Sequence, residues 1–480
     1  MEYYALLSVC TLVILVLAGL IWRKTKAIAF LIGFAFMYFW SLYGAWFIIS
    51  DTLAGEKGER YQYLFFNIVP VYLDSNYALT LILYSLFIVS VQLAVLVFTK
   101  EHKNQAPSTR PLMISHVTIL VIAAAAAILS FLIIRNSLAA AADANAAGYT
   151  YVRQETPFFT LHQLLNRVAL IPLTLGFSVW ISGKNAKYLA GASHWITLLA
   201  YVGMLAGMVV FCTMLGNRNE LVLAFTGMAL FYLANTVKPR KLIFMAVGGC
   251  AGAVLLFVKM FRDNAFSNGQ GYWPILRQGF SEIVKSNEAF AAHFSLYGSI
   301  AKDVSFTYGT SLVSLLFSAV PRAIWPDRPD DIYEHYATGV QVIAEQGYSI
   351  HHATGWYLNF GVVGVIVGGL VLGWIWSKLF NRFFQVEKPQ SFVSRVFSIV
   401  GFWCFTASLP ALIRAGPEGY KTVALQGILI PVSVIAFSTL RLSISSSRTL
   451  ISVRRLERKK RPDHLNIEAP IKPVFTTPTS

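Results

Sequence analysis

Four arginines in short polar stretches between apolar runs are the first candidates for binding an anion. Arg218 lies in Gly-Asn-Arg-Asn-Glu, Arg322 and Arg328 flank a Trp-Pro turn, and Arg414 follows an apolar run. A guanidinium group is planar and always charged, and it binds phosphate or carboxylate oxygens through two parallel hydrogen bonds. Several arginines on one face of a protein favour an anionic ligand. The alternative is that each one pairs with a nearby carboxylate: Glu220, Asp327 or Glu418.

Groups that can accept a proton lie in the same part of the chain. His351 and His352 come just before an apolar run, and histidine titrates nearer to neutral pH than any other side chain. We expect a histidine there to act as a general base at the water interface. Asp331, Glu334 and Glu345 compete for that role. The alternative is that the histidines cap a helix or lie in an interfacial belt.

An aromatic and an amide side chain follow these histidines. Tyr357 and Asn359 stand where the next apolar run begins, and we expect them to contact a bound sugar by stacking and hydrogen bonding. The alternative is a membrane aromatic girdle beside small residues that pack helices together.

Several kinds of site are missing from the sequence. It has no Walker loop, no Gly-x-Gly-x-x-Gly after a strand, no His-Glu-x-x-His and no spaced Asp-x-Asp pair. The cysteines all lie in apolar runs, so we predict neither a disulfide framework nor a zinc site. We therefore predict no metal and no cofactor, and we disfavour ATP-driven transport and nucleotide-sugar chemistry.

The elements that position these residues are membrane-spanning helices. The chain has 480 residues, of which 56% are hydrophobic and only 13% charged, whereas soluble proteins carry about 25% charged residues. Apolar runs near the ~20-residue length that crosses a bilayer recur throughout. We predict an all-α, polytopic membrane protein with eleven spans, at residues 3–22, 27–50, 76–99, 112–134, 162–182, 190–215, 220–236, 242–261, 354–377, 392–411 and 422–439.

The charge of the loops orients the predicted spans. Loops on alternate sides are rich in Lys and Arg, and such loops stay in the cytoplasm. We therefore predict an outer N-terminus and a cytoplasmic C-terminus. The predicted parts are eight spans in 1–261, a large outer loop in 262–353, three spans in 354–440 and a basic, partly disordered tail in 441–480. The net charge of +16 is explained by anionic headgroups, so nucleic acid is not a predicted partner.

Three segments outside the spans have recognisable patterns. Residues 273–284 have apolar side chains at helical spacing and could lie on the membrane surface. Residues 310–320 are apolar but too short to cross, which favours a re-entrant or interfacial segment. The alanine-rich stretch 139–147 is expected to extend a helix past the membrane.

The order of these motifs resembles a known family. Gly-Asn-Arg-Asn-Glu after a span, a large outer loop with GTS and PRAIWPDRPD, and then His before WYLNFGVVG are similar to the Wzy-type oligosaccharide repeat-unit (O-antigen) polymerases. The spacing of Arg328 and Gly339, with ten residues between them, is like that of some members. In the related O-antigen ligases a histidine occupies a similar place, which His352 matches best, although the His351-His352 doublet leaves the assignment open.

The resemblance implies the substrate and the place of the reaction. The substrate would be an oligosaccharide repeat unit on undecaprenyl pyrophosphate, and the site would face the periplasm across the bacterial inner membrane. The implied enzyme is a glycosyltransferase that uses this lipid-linked donor without metal or nucleotide. A Wzz-type chain-length regulator is a candidate partner.

We assign roles to the candidate residues on this basis. The predicted catalytic residues are Arg218, His352, Arg322 and Arg328. The predicted substrate-binding residues are Arg414, His351, Tyr357, Asn359, Asp331 and Glu334. An O-antigen ligase is the nearest alternative, and a lipid-linked oligosaccharide flippase or other transporter is the second. The transporter is disfavoured because the spans look nearly free of charge and no repeated halves are visible.

Overall fold

The computed structural model describes most of the helical part of the chain. It covers residues 1–55, 73–101, 114–143, 156, 158–181, 192–215, 217–235, 288–317, 325, 327–342, 349–384 and 391–437. Within these ranges the regular structure is helical, and the extended pairing is limited to one isolated bridge between Ile350 and Ala415. The predicted all-α class is confirmed.

The helices of the described chain are numbered here in chain order. They are α1 Glu2–Thr25, α2 Ile28–Leu53, α3 Ser75–Phe98, α4 His116–Asp143, α5 Phe159–Ile181, α6 Ala192–Met214, α7 Arg218–Asn235, α8 Glu288–Ala301, α9 Thr310–Leu316, α10 Ile332–Val340, α11 His352–Phe384, α12 Phe392–Ala407, α13 Leu409–Arg414 and α14 Gly419–Phe437. Two of them contain π-helical turns, at Phe39–Tyr43 in α2 and at Thr422–Leu429 in α14.

Seven of these helices are long and apolar enough to cross a membrane, namely α1, α2, α3, α4, α6, α11 and α14. Three more predicted spans fall on α5, α7 and α12. The predicted span at 242–261 lies outside the described residues, so the count of eleven stays a prediction. A polytopic helical membrane protein is confirmed, and large apolar side chains on the outside of α1, such as Val9 and Leu12, are placed to face lipid.

The helices α3 and α11 run side by side in the same direction. The ring of His351, just before α11, packs against Tyr84 in the first half of α3, and Thr99 hydrogen-bonds Ser377 nearer the far ends. Between these points the helices approach closely at Gly369, where an added Cβ would lie 2.7 Å from the Phe87 carbonyl oxygen. Small residues at such a crossing let two membrane helices pack backbone to backbone.

The short helices α8 and α10, which connect longer helices, lie at one end of the bundle. We call the end at which α3 and α11 begin the loop end. The α8 helix lies there because Tyr84 donates to the His293 carbonyl oxygen at 2.8 Å, and α10 lies there because the Tyr333 hydroxyl donates to the Arg414 carbonyl oxygen at 3.3 Å.

The helix α11 is interrupted two turns after it begins. Phe360 and Gly361 leave helical geometry, and Gly361 has φ +61°, a backbone conformation that favours glycine. Just before the break, the Asn359 side-chain oxygen accepts hydrogen bonds from the hydroxyls of Thr307 and Ser311, each at 2.9 Å. These hydrogen bonds hold the broken part of α11 against α9 and the residues just before it.

The segments predicted outside the spans have different outcomes. Within the stretch 310–320, Thr310–Leu316 forms a short helix, and residues 318–320 lie outside the described residues. The helix α4 extends to Asp143, which includes the described part of the alanine-rich stretch 139–147. The stretch 273–284 lies outside the described residues. Cys10, Cys212 and Cys404 are free thiols, whereas Cys250 also lies outside the described residues.

Candidate functional site

Buried polar side chains at the loop end form two clusters. The histidine cluster contains His293, His351 and His352 with the groups that they bind. The arginine cluster contains Arg167, Glu220, Asn217 and Gln426. The two clusters are linked by the first turns of α14, which contact both.

His293 is held by hydrogen bonds on both ring nitrogens. Its Nδ1 bonds to the carbonyl oxygen of Ser41, in the π-helical turn of α2, and its Nε2 lies 3.0 Å from the Tyr77 hydroxyl. A carbonyl oxygen can only accept, so Nδ1 carries the proton and Nε2 accepts from Tyr77. The ring is fully buried, and this burial lowers the pKa of His293 to about 4. His293 therefore stays neutral at physiological pH.

His351 is also hydrogen-bonded through both of its ring nitrogens. The Ala353 amide donates to its Nδ1 at 3.1 Å, so the proton of the neutral ring is on Nε2, which lies 2.9 Å from the Ser41 hydroxyl oxygen. The ring packs edge-on against Tyr84, with ring centres 4.6 Å apart. His351 and His293 thus both bind Ser41, and together they tie α8 and the start of α11 to α2.

His352 uses both nitrogens within the protein. Its Nδ1 donates to the Leu412 carbonyl oxygen at 3.3 Å. Its Nε2 accepts from the Trp356 indole at 3.2 Å and from the Tyr420 hydroxyl at 3.1 Å. No lone pair of this ring is left to accept a proton from a substrate unless one of these partners moves away.

The prediction that these two histidines lie at the water interface is wrong, because both are fully buried. The sequence places them at the start of an apolar run, where water would normally be near. In the folded chain, Phe87 of α3 packs against both rings, and Tyr420 of α14 packs against the ring of His352. Their predicted roles in binding and catalysis stay predictions.

The acidic candidates lie at the start of α10. Asp331 caps this helix, with its Oδ1 accepting from the Glu334 amide at 2.9 Å, which is a common stabilising use of aspartate. Glu334 is exposed one turn later. Tyr333 bonds to the backbone of Arg414, so α10 and the end of α13 are adjacent. Asp331, Arg414 and the two histidines are therefore at one end of the bundle.

The two predicted sugar contacts face different surroundings. Asn359 is fully buried, and its amide donates to the Gly355 carbonyl oxygen at 2.7 Å while its oxygen accepts from Thr307 and Ser311. Both ends of this amide are engaged in holding the break in α11. Tyr357 is half-buried, with its ring edge-on to Phe306 at 5.5 Å between ring centres.

The other predicted arginines are placed only in part. Arg218 is the first residue of α7, and Arg328 is half-buried shortly before α10. Arg322 lies outside the described residues. The predicted catalytic roles of all three stay predictions.

The arginine cluster contains a side chain that sequence reasoning missed. Arg167, within the predicted span 162–182, donates from Nε to Glu220 Oε1 at 3.4 Å and from Nη1 to Gln426 Oε1 at 3.1 Å. Its Nη1 also lies 3.5 Å from the Thr422 carbonyl oxygen. An arginine in a membrane helix costs about 2.5–3.5 kcal/mol on insertion scales, so its presence in an apolar run was the signal that a partner must exist.

The arginine cluster changes two expectations from the sequence, one about the partner of Glu220 and one about charged residues in the spans. Glu220, which the sequence suggested as a partner for Arg218, is only 1% exposed and pairs with Arg167 of another helix. The spans are also less free of charge than they look, because this ion pair joins α5 to α7. Glu418, another carboxylate suggested as a partner for an arginine, forms an ion pair with Lys421 at 3.2 Å. Burial raises the pKa of the Glu418 carboxyl, and Lys421 opposes that shift.

Two buried polar atoms of the arginine cluster have no hydrogen-bond partner among the described residues. They are Oε2 of Glu220 and Nδ2 of Asn217, whose residue is 5% exposed. Buried polar atoms in proteins are nearly always paired, so an unpaired donor and an unpaired acceptor on residues three apart in sequence need an explanation. Elsewhere in the described chain, groups of three or more His, Cys, Asp and Glu side chains that could hold a metal ion are absent.

Comparison with known proteins supports the resemblance found in the motifs. The chain is similar to O-antigen polymerases of Salmonella typhimurium and Salmonella typhi, with 23% identity over 192 residues in each case. The match covers 38% of this chain and 44% of each relative, so it spans less than half the length of either protein. No family model matches the chain, and no solved structure matches it at a significant level.

Proposed function

We propose that this chain is a polymerase that joins undecaprenyl-pyrophosphate-linked oligosaccharide repeat units into a surface polysaccharide. The proposal is supported by the similarity to two O-antigen polymerases and by the polytopic helical fold. In this proposal the protein lies in the bacterial inner membrane, with its N-terminus and its loop end towards the periplasm and its C-terminus in the cytoplasm.

The reaction requires the protein to perform three functions. The growing chain is bonded through C1 of its reducing-end sugar to pyrophosphate, and a hydroxyl of the incoming unit attacks that carbon. The protein must hold two lipid-linked substrates, stabilise the negative charge that leaves with the lipid, and accept the proton of the hydroxyl. Positively charged side chains can stabilise the departing pyrophosphate electrostatically.

The position of the arginines at the loop end is the observation that carries the proposal. Arg218 begins α7, Arg414 ends α13, and Arg328 precedes α10. The pyrophosphate of a polyprenyl lipid stays near the membrane surface because its tail remains in the bilayer. Arginines at helix ends are therefore at a suitable depth, and their planar groups suit phosphate oxygens. We assign Arg218, Arg322, Arg328 and Arg414 to this task.

The ligase alternative uses the same donor but transfers the finished chain to another acceptor. A specific prediction separates the two. Deleting the gene in the native strain and separating its surface polysaccharide by electrophoresis should leave single-unit products, and a plasmid copy of the chain should restore the ladder.

The other outcomes of this experiment identify the alternatives. Polymer that accumulates on undecaprenyl would indicate a ligase, and loss of all externally exposed units would indicate a flippase. An unchanged ladder in the deletion strain would refute all three functions. If the polymerase outcome is found, co-purification of a Wzz-type chain-length regulator would test the proposed partner.

A further inference from the structure

The proposed reaction needs a proton acceptor, and the histidine cluster does not present one. Both nitrogens of His351 and of His352 are engaged by the protein. Asp331 caps a helix, Glu334 is exposed to solvent, and Glu345 lies outside the described residues. A base for a sugar hydroxyl must instead offer an unengaged acceptor atom in a sheltered place.

We propose that Glu220 is the general base for the attacking hydroxyl and that Asn217 holds the same hydroxyl oxygen. This assignment rests on the proposed function. Glu220 Oε2 is a buried acceptor without a partner among the described residues, and Asn217 Nδ2 is a buried donor in the same condition. A hydroxyl donates one hydrogen bond and accepts others, so one sugar hydroxyl can satisfy both atoms.

The local backbone places these two residues within one turn of each other. Asn217 directly precedes α7 and Glu220 is the third residue of that helix. Residues three apart at a helix start lie on the same side of the helix, as in the common capping arrangement of a polar residue and a glutamate. Asn219, between them, is exposed, so this turn of α7 reaches the surface of the protein.

Two other helices fix the carboxylate in place. Arg167 of α5 holds Glu220 through Oε1 only, and Arg167 is itself bound by Gln426 and by the Thr422 carbonyl in α14. A purely structural ion pair in a buried place would gain by satisfying both carboxylate oxygens, since a buried unpaired polar atom is destabilising. Here Arg167 holds one oxygen, and the other has no hydrogen-bond partner among the described residues.

The neighbouring residue connects this subsite to the donor. Arg218 lies between Asn217 and Glu220 in sequence, and it is the arginine that we assign first to the pyrophosphate. A base and a pyrophosphate ligand on the same helical turn would bring the acceptor hydroxyl and the donor C1 together, which is the geometric requirement of the reaction.

The proposed step forms one bond at C1, breaks another and transfers one proton. The hydroxyl oxygen of the incoming unit forms a bond to C1 of the growing chain, and its proton passes to Glu220 Oε2. The bond between C1 and the pyrophosphate oxygen breaks, and undecaprenyl pyrophosphate leaves with the electron pair. The proton of Glu220 then returns to water or to the leaving pyrophosphate.

The test uses the full-length chain in lipid nanodiscs. The probe is the lipid-linked repeat unit extracted from the native strain after deletion of this gene, and chain extension is followed by gel electrophoresis between pH 5.5 and 9. We expect Glu220→Gln to slow extension at least 100-fold, because general bases contribute about 10²–10⁴-fold. Glu220→Asp should keep part of the rate, and Asn217→Ala should lose about tenfold.

A double variant separates chemistry from folding. Glu220→Gln alone leaves Arg167 without its counter-charge, whereas Arg167→Gln with Glu220→Gln removes both charges at once. We expect the double variant to recover thermal stability in the nanodisc but to stay at least 100-fold slow. Glu418→Gln, which removes another buried and ion-paired carboxylate at the loop end, is the matched control and should stay within about threefold of the wild type.

The pH profile provides the final readout. The wild-type rate should fall on the acid side as the base becomes protonated, and this acid limb should be missing from the residual activity of Glu220→Gln. Recovery of activity in the double variant, or an unchanged acid limb in Glu220→Gln, would overturn the assignment of Glu220. A wild-type chain that fails to extend the probe would instead refute the proposed function itself.

Discussion

Both polar clusters at the loop end contain fully buried side chains, but the clusters differ in how completely the polar atoms of these side chains are hydrogen-bonded. In the histidine cluster each ring nitrogen has a partner, and the neighbouring Ser295 hydroxyl bonds to the Ala292 carbonyl and to Thr354. In the arginine cluster, Glu220 and Asn217 each keep one polar atom without a partner among the described residues. Glu220 and Asn217 are buried almost as completely as the histidines, so burial alone does not explain why their atoms lack partners.

The difference indicates which cluster stabilises the packing of the helices and which one can bind a ligand. A fully satisfied network stabilises one arrangement of helices, because any movement would leave polar groups unpaired in a region of low dielectric constant. The histidine cluster does this by joining α2, α8, α11 and α14. An incompletely satisfied cluster can gain hydrogen bonds from a ligand without first losing its own. We therefore expect substitutions in the two clusters to have different effects on activity and on stability.

The largest effect is expected at Arg218, beside the incomplete cluster. Arg218→Ala should abolish polymer, and Arg218→Lys should keep part of the activity, because lysine retains the charge but not the two-pronged geometry. Ladders from the complemented deletion strain, at matched protein levels, measure this. Lys302→Ala removes an exposed cation from the segment after α8 and should leave the ladder unchanged. A normal ladder from Arg218→Ala would leave this arginine with no catalytic role.

An intermediate effect is expected at His352, in the satisfied cluster. His352→Gln keeps one donor and one acceptor near the positions of the two ring nitrogens, so we expect extension within about tenfold of the wild type. His352→Ala should lower activity and stability together, because it leaves the Tyr420 and Trp356 donors without their acceptor. Rates and melting temperatures in nanodiscs test this. A stable His352→Gln variant that is more than 100-fold slow would restore histidine as the base.

The smallest effect is expected from the pH dependence of stability. The pKa of His293 is about 4 in the folded chain, against about 6.5 in an unfolded chain. Between these values the unfolded state binds more protons, so folding stability falls as the pH drops from about 6.5 towards 4. The full shift corresponds to a loss on the order of 3 kcal/mol.

Unfolding in denaturant at pH 7.5 and pH 5 measures this loss. His293→Gln should be less stable at pH 7.5 and should show a smaller difference between the two pH values. Tyr308→Phe, at a ring that is 79% exposed, is the control and should behave like the wild type. A pH dependence that is unchanged in His293→Gln would mean that another group is responsible.

Much of the fold follows from the sequence because membrane insertion is a local property. A run of about 20 apolar residues must form a helix in lipid, since no water is available to its backbone. The all-α class and the presence of a helix at ten of the predicted span positions needed no other information, and the polar motifs around Arg218 and His352 were sufficient for the resemblance. Even the break at Gly361 was marked by an aromatic-Gly sequence, although its role as an attachment point for Thr307 and Ser311 was not.

The chemical state of each polar side chain was decided only by tertiary structure. Arg167 and Glu220 are 53 residues apart in sequence, and Ser41 and His351 are 310 apart, so neither pairing leaves a local pattern. Hydropathy depends on the residues within one helix, whereas burial and hydrogen bonding depend on which helices pack together and in what register. For that reason the sequence alone indicated where the polar chemistry lies, but it could not indicate that the histidines are fully engaged and that one oxygen of Glu220 is not.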